Sequence, residues 1–307
     1  MKAFIGVTDL DWFNHLSGIP EIDEVNFWQP SGNRGFKTLN PGEPFLFKLH
    51  SPNDFIVGGG FFAHNSILPL SLAWEAFYEK NGAQSAQEMR ERIRKYRKTL
   101  SITNEDFQIG CILLEQPFFF GKDEWIKVPK DWSPNIVQGK TYDLSIGIGK
   151  ELWDEVALRL KGRKIQEFKA SDTADLFGKP QTILPRLGQG SFRIMVTDIY
   201  QRKCAVTQEK TLPALEAAHI KPYIESGPHS VNNGILFRSD IHKLFDRGYV
   251  TISPDYRFEV SKKIKEEYEN GRDYYAMQGK PLHLPGKTDL RPSSQFINWH
   301  NEKIFLG

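Results

Sequence analysis

His219, Asn233 and His242 stand 14 and then 9 residues apart, in a stretch that reads AHIKP at 218–222, NNGILF at 232–237 and SDIHKLFDRG at 239–248. Two imidazoles and a carboxamide so separated must come from different local elements. His219 closes a short apolar run and precedes Ile-Lys-Pro, which predicts a strand end where the ring faces a cleft. Asn233 falls in a polar loop before a second short strand, Ile235-Leu236-Phe237. Its amide has the donors and acceptors to pin the loop that carries His219. Ser239 is the expected N-cap of a helix containing His242 and Asp246. Those two are four residues apart, share one helix face and could hold one divalent cation. Singly, each residue reads as structural: a histidine in a strand, an Asn-Gly turn, a histidine on a helix. In this order, with strand, loop and helix around them, they read as one site.

With Cys204-Ala-Val-Thr ahead of it, the stretch resembles the HNH, or ββα-metal, endonuclease family. The resemblance implies that His219 is the general base activating water against a phosphodiester, that Asn233 orients the loop and that His242 ligates one metal. The implied metal stabilises charge on the phosphate and on the departing 3′ oxygen. A neutral imidazole suits a base working near pH 7. Many family members carry an acidic or histidine ligand immediately before the base, whereas this chain has Ala218. The other ligands are left open among Asp246, Asp240 and Glu216, and Asp246 is favoured because it follows His242 by one helical turn. Mg²⁺ or Mn²⁺ is expected, with Zn²⁺ or Ni²⁺ also compatible with imidazole ligation. Lys221, Arg238 and Lys243 are candidate phosphate contacts, which add affinity without sequence information. His229 and His300 lack such context and read as structural.

The elements that must position this site begin with an apolar helix expected over Phe192 to Tyr200. The stretch Ala170 to Gly190 is polar and contains Gly and Pro, as an interdomain linker would. It separates a first domain over 1–169 from a second over 191–307. Beyond the motif, Tyr249 to Tyr268 predicts strand, turn, strand and helix, and the tail is expected to pack back through Trp299 and Phe305. In the first domain FIGVT (4–8), PFLFKL (44–49), FIVGGGFFA (55–63) and Phe107 to Phe120 predict strands. Helices are expected over Pro69 to Tyr78, Ser85 to Lys98 and Glu151 to Leu160. Ser85 with Glu88 three residues on has the capping-box pattern.

The opening FIGVTDLDWF, VNFWQP (25–30) and the strands at 42–48 and 55–62 resemble PUA-like domains, the superfold of the EVE, ASCH and SRA readers. That implies a β-barrel with flanking helices, and an α+β chain overall. Several of those readers accept a modified or flipped base between flat apolar faces. Trp12, Phe27, Trp28 and Phe45 could supply such faces, and Asp11, Asn14, Asn33 and Asn65 the polar edge. The competing reading makes these aromatics the core of the barrel.

Composition sets the outer bounds. The 307 residues, 39% hydrophobic and 25% charged, fit a folded chain of two domains. No apolar run approaches the ~20 residues of a membrane span. The N-terminus lacks the order of a signal peptide, so a cytoplasmic location without a membrane partner is expected. Cys111 and Cys204 are too few for a disulfide framework or a four-cysteine zinc site, and read as buried apolar residues. The net charge of +2 says little, because nucleic-acid binding depends on local patches.

Together the two resemblances imply a modification-dependent restriction endonuclease in bacterial defence. Its first domain would read a modified base, such as a modified cytosine, in double-stranded DNA, and its second would cut nearby. One HNH site nicks one strand, so a homodimer is expected. Two alternatives stand beside it: an endonuclease for unmodified or structured DNA, and a nucleic-acid-binding protein with weakened catalysis, which Ala218 favours.

Overall fold

Runs rich in Phe, Ile and Val, bounded by Gly, Pro and Asn, become the strands of one sheet in the first half of the chain. The structure, a computed structural model, describes residues 1–32, 35–97, 106–162 and 187–307. The chain divides into two compact units, Met1–Pro185 and Arg186–Gly307. In the first, β1 (Lys2–Thr8), α1 (Leu10–Ser17), β2 (Glu24–Gln29), β3 (Pro44–Leu49), β4 (Phe55–Pro69), α2 (Leu70–Phe77), α3 (Ala86–Tyr96), β5 (Gln108–Phe119), β6 (Ile126–Lys127), β7 (Gly139–Asp143) and α4 (Gly147–Gly162) follow in order.

The sheet runs β2-β5-β4-β3-β1-β7, with β6 also on β4. Only β1 and β3 are parallel among these pairs. The expected barrel closure is not there: among the described residues no ladder joins the end strands β2 and β7. β7 has only five residues, all paired to β1, and the chain then turns into α4. β4 is 15 residues long and shifts register twice against β5, the kind of bulge that bends a strand. Helix starts follow local chemistry. Asp9 caps α1 by accepting the Trp12 N–H at 2.7 Å. Ser85 accepts the Glu88 N–H at 3.1 Å, but Glu88 takes the N–H of Gln84 at 2.8 Å. The reciprocal half of the expected capping box is therefore shifted by one residue.

The aromatics expected to line a base pocket form the core instead. Trp12, Phe27 and Phe45 are buried in one cluster with Phe47. The Trp12 ring meets Phe27 at 5.4 Å and Phe47 at 5.0 Å, and Phe27 meets Phe45 at 4.7 Å. These edge-on and tilted contacts occupy the faces that a base would need. Gly82, at φ +78°, lets the backbone pass over Trp12, since a Cβ there would lie 2.1 Å from the indole. Trp28 is half-buried, and its indole N–H donates to the Asn81 carbonyl at 3.0 Å. Asp11 and Asn14 are exposed on α1. The Asn65 side chain accepts the Phe36 N–H at 3.1 Å. Asn33 lies outside the described residues.

The second unit holds α5 (Gln189–Ile199), β8 (Leu215–His219), β9 (Gly234–Arg238), α6 (Ser239–Asp246), β10 (Val250–Ile252), β11 (Phe258–Val260), α7 (Lys263–Tyr268), α8 (Arg272–Tyr275) and α9 (Ser294–Lys303). The helix expected from Phe192 thus starts at Gln189, inside the stretch read as linker. β8 and β9 pair antiparallel, with His219 opposite Gly234 and Ala218 opposite Ile235. α6 follows β9 without a loop. Arg238, still extended, is its N-cap, and Ser239 is the first helical residue rather than the cap. Phe237 from β9 and Phe245 from α6 pack at 5.3 Å in the core and fix the helix against the hairpin. Among the described residues no helix is long and apolar enough to cross a membrane.

Candidate active site

His219 ends β8 with its ring flat against Phe192 of α5, centroids 3.8 Å apart. Its Nε2 lies 2.9 Å from Nδ1 of His229. Burial, with the charges of His229 and His242 adding to it, pushes its pKa down to about 4. At neutral pH the ring is uncharged and keeps a lone pair. Nδ1 makes no hydrogen bond among the described residues and is not a buried atom, so it opens on the cleft that His219 lines. The cleft has a volume of about 440 Å³ and is bordered also by Arg193, Glu216, Tyr223, His242 and Asp246.

Asn233 is 0% exposed and uses its amide fully. Oδ1 accepts the Lys221 N–H, while Nδ2 donates to the carbonyls of Lys221 and Pro228, each at 2.9 Å. One side chain thus ties both ends of the loop that follows His219, as the sequence led us to expect of it. Gly234, next in the chain, allows α5 to approach the hairpin: a Cβ there would sit 2.4 Å from Val196 and 2.9 Å from Phe192. That approach is what seats Phe192 on His219.

His242 on α6 stands between two carboxylates. Its Nδ1 is 2.6 Å from Glu216 of β8, and its Nε2 is 3.3 Å from Asp246, one turn along the same helix. Among the described residues no three His, Cys, Asp or Glu side chains form a group that could hold a metal ion. The pair His242–Asp246 nevertheless fits one. With Nδ1–H donated to Glu216, the Nε2 lone pair faces the Asp246 carboxylate, an arrangement that a cation relieves. Metal bonds of about 2.1 Å to two ligands leave those ligands roughly 3.0–3.4 Å apart. Such a site suits an ion that keeps several waters. Glu216 then orients His242 from behind, as partners of metal-binding histidines do. Burial raises the Asp246 pKa above the usual carboxylate range, with Glu216 adding to it against His242.

Other expected residues separate from this group. Asp240, an open ligand candidate, is held by Arg238 through contacts of 2.9 and 2.5 Å, with the Tyr274 hydroxyl at 3.3 Å. The same fork engages Arg238, so the expected phosphate contact there has its guanidinium already paired. Lys243 is exposed, and the ammonium of Lys221 lies 5.5 Å over the half-buried Trp299 ring. Ala218 is fully buried in the hairpin. Phe192, expected only as part of an apolar helix, and His229, expected to be structural, both meet the His219 ring. Phe192 comes from a helix outside the motif, and His229 from a loop whose path no local pattern predicts.

His300 is structural, as expected: it stacks on Phe245 at 3.8 Å and bonds the Phe245 carbonyl and the Thr251 hydroxyl. Burial pushes its pKa to about 4 as well. An unfolded histidine takes a proton near 6.5. A lowered folded-state pKa gives stability that is full above about 6.5 and is lost as pH falls toward 4. Urea unfolding at pH 7 and pH 5 should show a loss at pH 5 on the order of 2 kcal/mol from the buried His300. The screened His219 adds less. Glu115, raised by burial to about 9, titrates in the opposite sense over this window, so the loss is read as the difference between the wild type and His300→Gln. An equal difference at both pH values would mean that the ring is not held neutral.

A search of curated proteins finds no match to the chain. Among solved structures, the ASCH protein from Zymomonas mobilis aligns at 12% identity with a TM-score of 0.33, over 50% of this chain and 94% of that one. A structure titled modification dependent TagI restriction endonuclease aligns at 12% identity with a TM-score of 0.31, over 97% of this chain and 81% of that one. The finding that bears on the chemistry is narrower. Residues 204–253, which carry the hairpin, Asn233 and α6, match the family model described as HNH endonuclease, and this segment of the chain is similar to that family.

Proposed function

We propose that the protein is a metal-dependent DNA endonuclease whose second unit hydrolyses phosphodiester bonds. The observation that carries this reading is one cleft that holds a neutral His219, with Nδ1 open, together with the His242–Asp246 pair. In this reading His219 Nδ1 removes the proton of an attacking water, and Asn233 keeps the loop behind it in place. His242 and Asp246 would hold a divalent ion, Mg²⁺ or Mn²⁺ by the small number of protein ligands. The ion, when bound, supplies Lewis-acid stabilisation of the charge that builds on the phosphate. Glu216 fixes the His242 tautomer, while Lys221 and Lys243 add phosphate affinity.

The first unit is assigned as the reader of a modified base, on its sequence resemblance to PUA-like domains. Since Trp12, Phe27 and Phe45 are spent on the core, the base must be met by other groups. A plasmid panel tests both levels. Unmodified, methylated, hydroxymethylated and glucosylated cytosine substrates are incubated with the protein and Mg²⁺ or Mn²⁺. Cutting confined to one modification is expected, with nicked circles preceding linear product if two copies of the site must act. Equal cutting of all four would remove the reader, and binding without cutting would leave a nucleic-acid-binding protein.

A further inference from the structure

Asn233 does more than hold the loop after His219. Its Nδ2 bonds the carbonyl of Pro228, the residue before His229, while its other contacts go to Lys221, two residues after His219. The clamp therefore brings two histidines together from opposite ends of one loop. They meet at 2.9 Å between His219 Nε2 and His229 Nδ1. Phe192 stacks on His219 at 3.8 Å, and Tyr223 stacks on His229 at 4.6 Å, so the two rings are braced by aromatics as well. The other titratable groups lining the cleft are Arg193, Glu216, Tyr223, His242, Asp246 and His300.

At one proton between two ring nitrogens, the bond has two forms. If His219 Nε2–H donates, His229 accepts at Nδ1, and both neutral rings carry their proton on Nε2, the ordinary tautomer of a histidine side chain. If His229 donates instead, both rings must carry it on Nδ1. In that form the cleft-facing Nδ1 of His219 has no lone pair. For two neutral rings the first form is chemically favoured, and it alone leaves His219 able to accept a proton from the cleft.

We propose that His229 is a positioning residue for His219: it accepts the Nε2–H and so keeps the Nδ1 lone pair aimed into the cleft. The proposal rests on the nuclease reading only for its catalytic consequence. The tautomer is set by the protein whether or not DNA is cut.

The test uses the full chain labelled with ¹⁵N at histidine. Long-range ¹H–¹⁵N spectra at pH 7 are compared for the wild type, His229→Asn and His229→Ala, with His219→Ala to assign the signals. The Asn carbonyl oxygen can accept where Nδ1 did, and alanine cannot. The expected result is His219 protonated on Nε2 in the wild type and in His229→Asn, with mixed tautomers in His229→Ala. In single-turnover cleavage, His229→Ala should then fall by at least about tenfold at unchanged DNA affinity, with partial recovery in His229→Asn. A wild-type His219 protonated on Nδ1, or one whose tautomer ignores His229→Ala, overturns the proposal. The expected spectra from a protein that cuts no DNA would support the histidine pair while removing the nuclease.

Discussion

His219→Ala should lower the single-turnover rate of DNA cleavage by roughly 10²–10⁴-fold, the usual contribution of a positioned base. DNA affinity should stay close to that of the wild type. The separation follows from where the ring sits. It is half-buried, with one face stacked on Phe192, so it presents little surface to a phosphate backbone. Affinity for a duplex comes mainly from cations along its backbone. Because the ring is held neutral down to about pH 4, its loss also removes no positive charge at pH 7. Cleavage rates and fluorescence anisotropy on the same substrate separate the two effects. A variant that still cuts at the wild-type rate would take His219 out of the mechanism, and one that fails to bind would make it a contact rather than a base.

Asn233→Ala is expected to destabilise the fold of the second unit. The alanine deletes three hydrogen bonds and leaves the Lys221 N–H and the carbonyls of Lys221 and Pro228 without their partner. Fully buried groups so abandoned cost about 1–3 kcal/mol each; here Lys221 is half-buried and Pro228 exposed, so water recovers part of that. A loss of roughly 3 kcal/mol is expected in urea unfolding. Asn233→Asp sharpens the test. It has the same shape and still accepts from Lys221, but it turns a carboxylate toward two carbonyl oxygens. We expect it to be at least as destabilising as alanine. If both variants unfold with the wild type, the clamp does not hold the loop, and the meeting of His219 with His229 needs another cause.

What the sequence determined by itself was the local part of this site. Strand propensities around His219 and Ile235 led to the two short strands, β8 and β9, which the fold pairs as a hairpin. Helical spacing alone put His242 and Asp246 on one face, and the structure finds them 3.3 Å apart. The donors and acceptors of Asn233 foretold a loop clamp, which is what it is.

Only tertiary structure decided the rest, because packing has no local signature. Nothing near position 192 says that its ring will cover His219, and nothing around 229 says that a loop will fold back to offer Nδ1 to Nε2. Spacing favoured Asp246 over Asp240 and Glu216, and only the fold shows where the other two go: Arg238 holds Asp240, and Glu216 reaches His242 from the strand. In the first unit the composition of Trp12, Phe27 and Phe45 suits a stacking pocket and a core equally. Hydrophobic burial, which stabilises without regard to ligand, resolved it as a core.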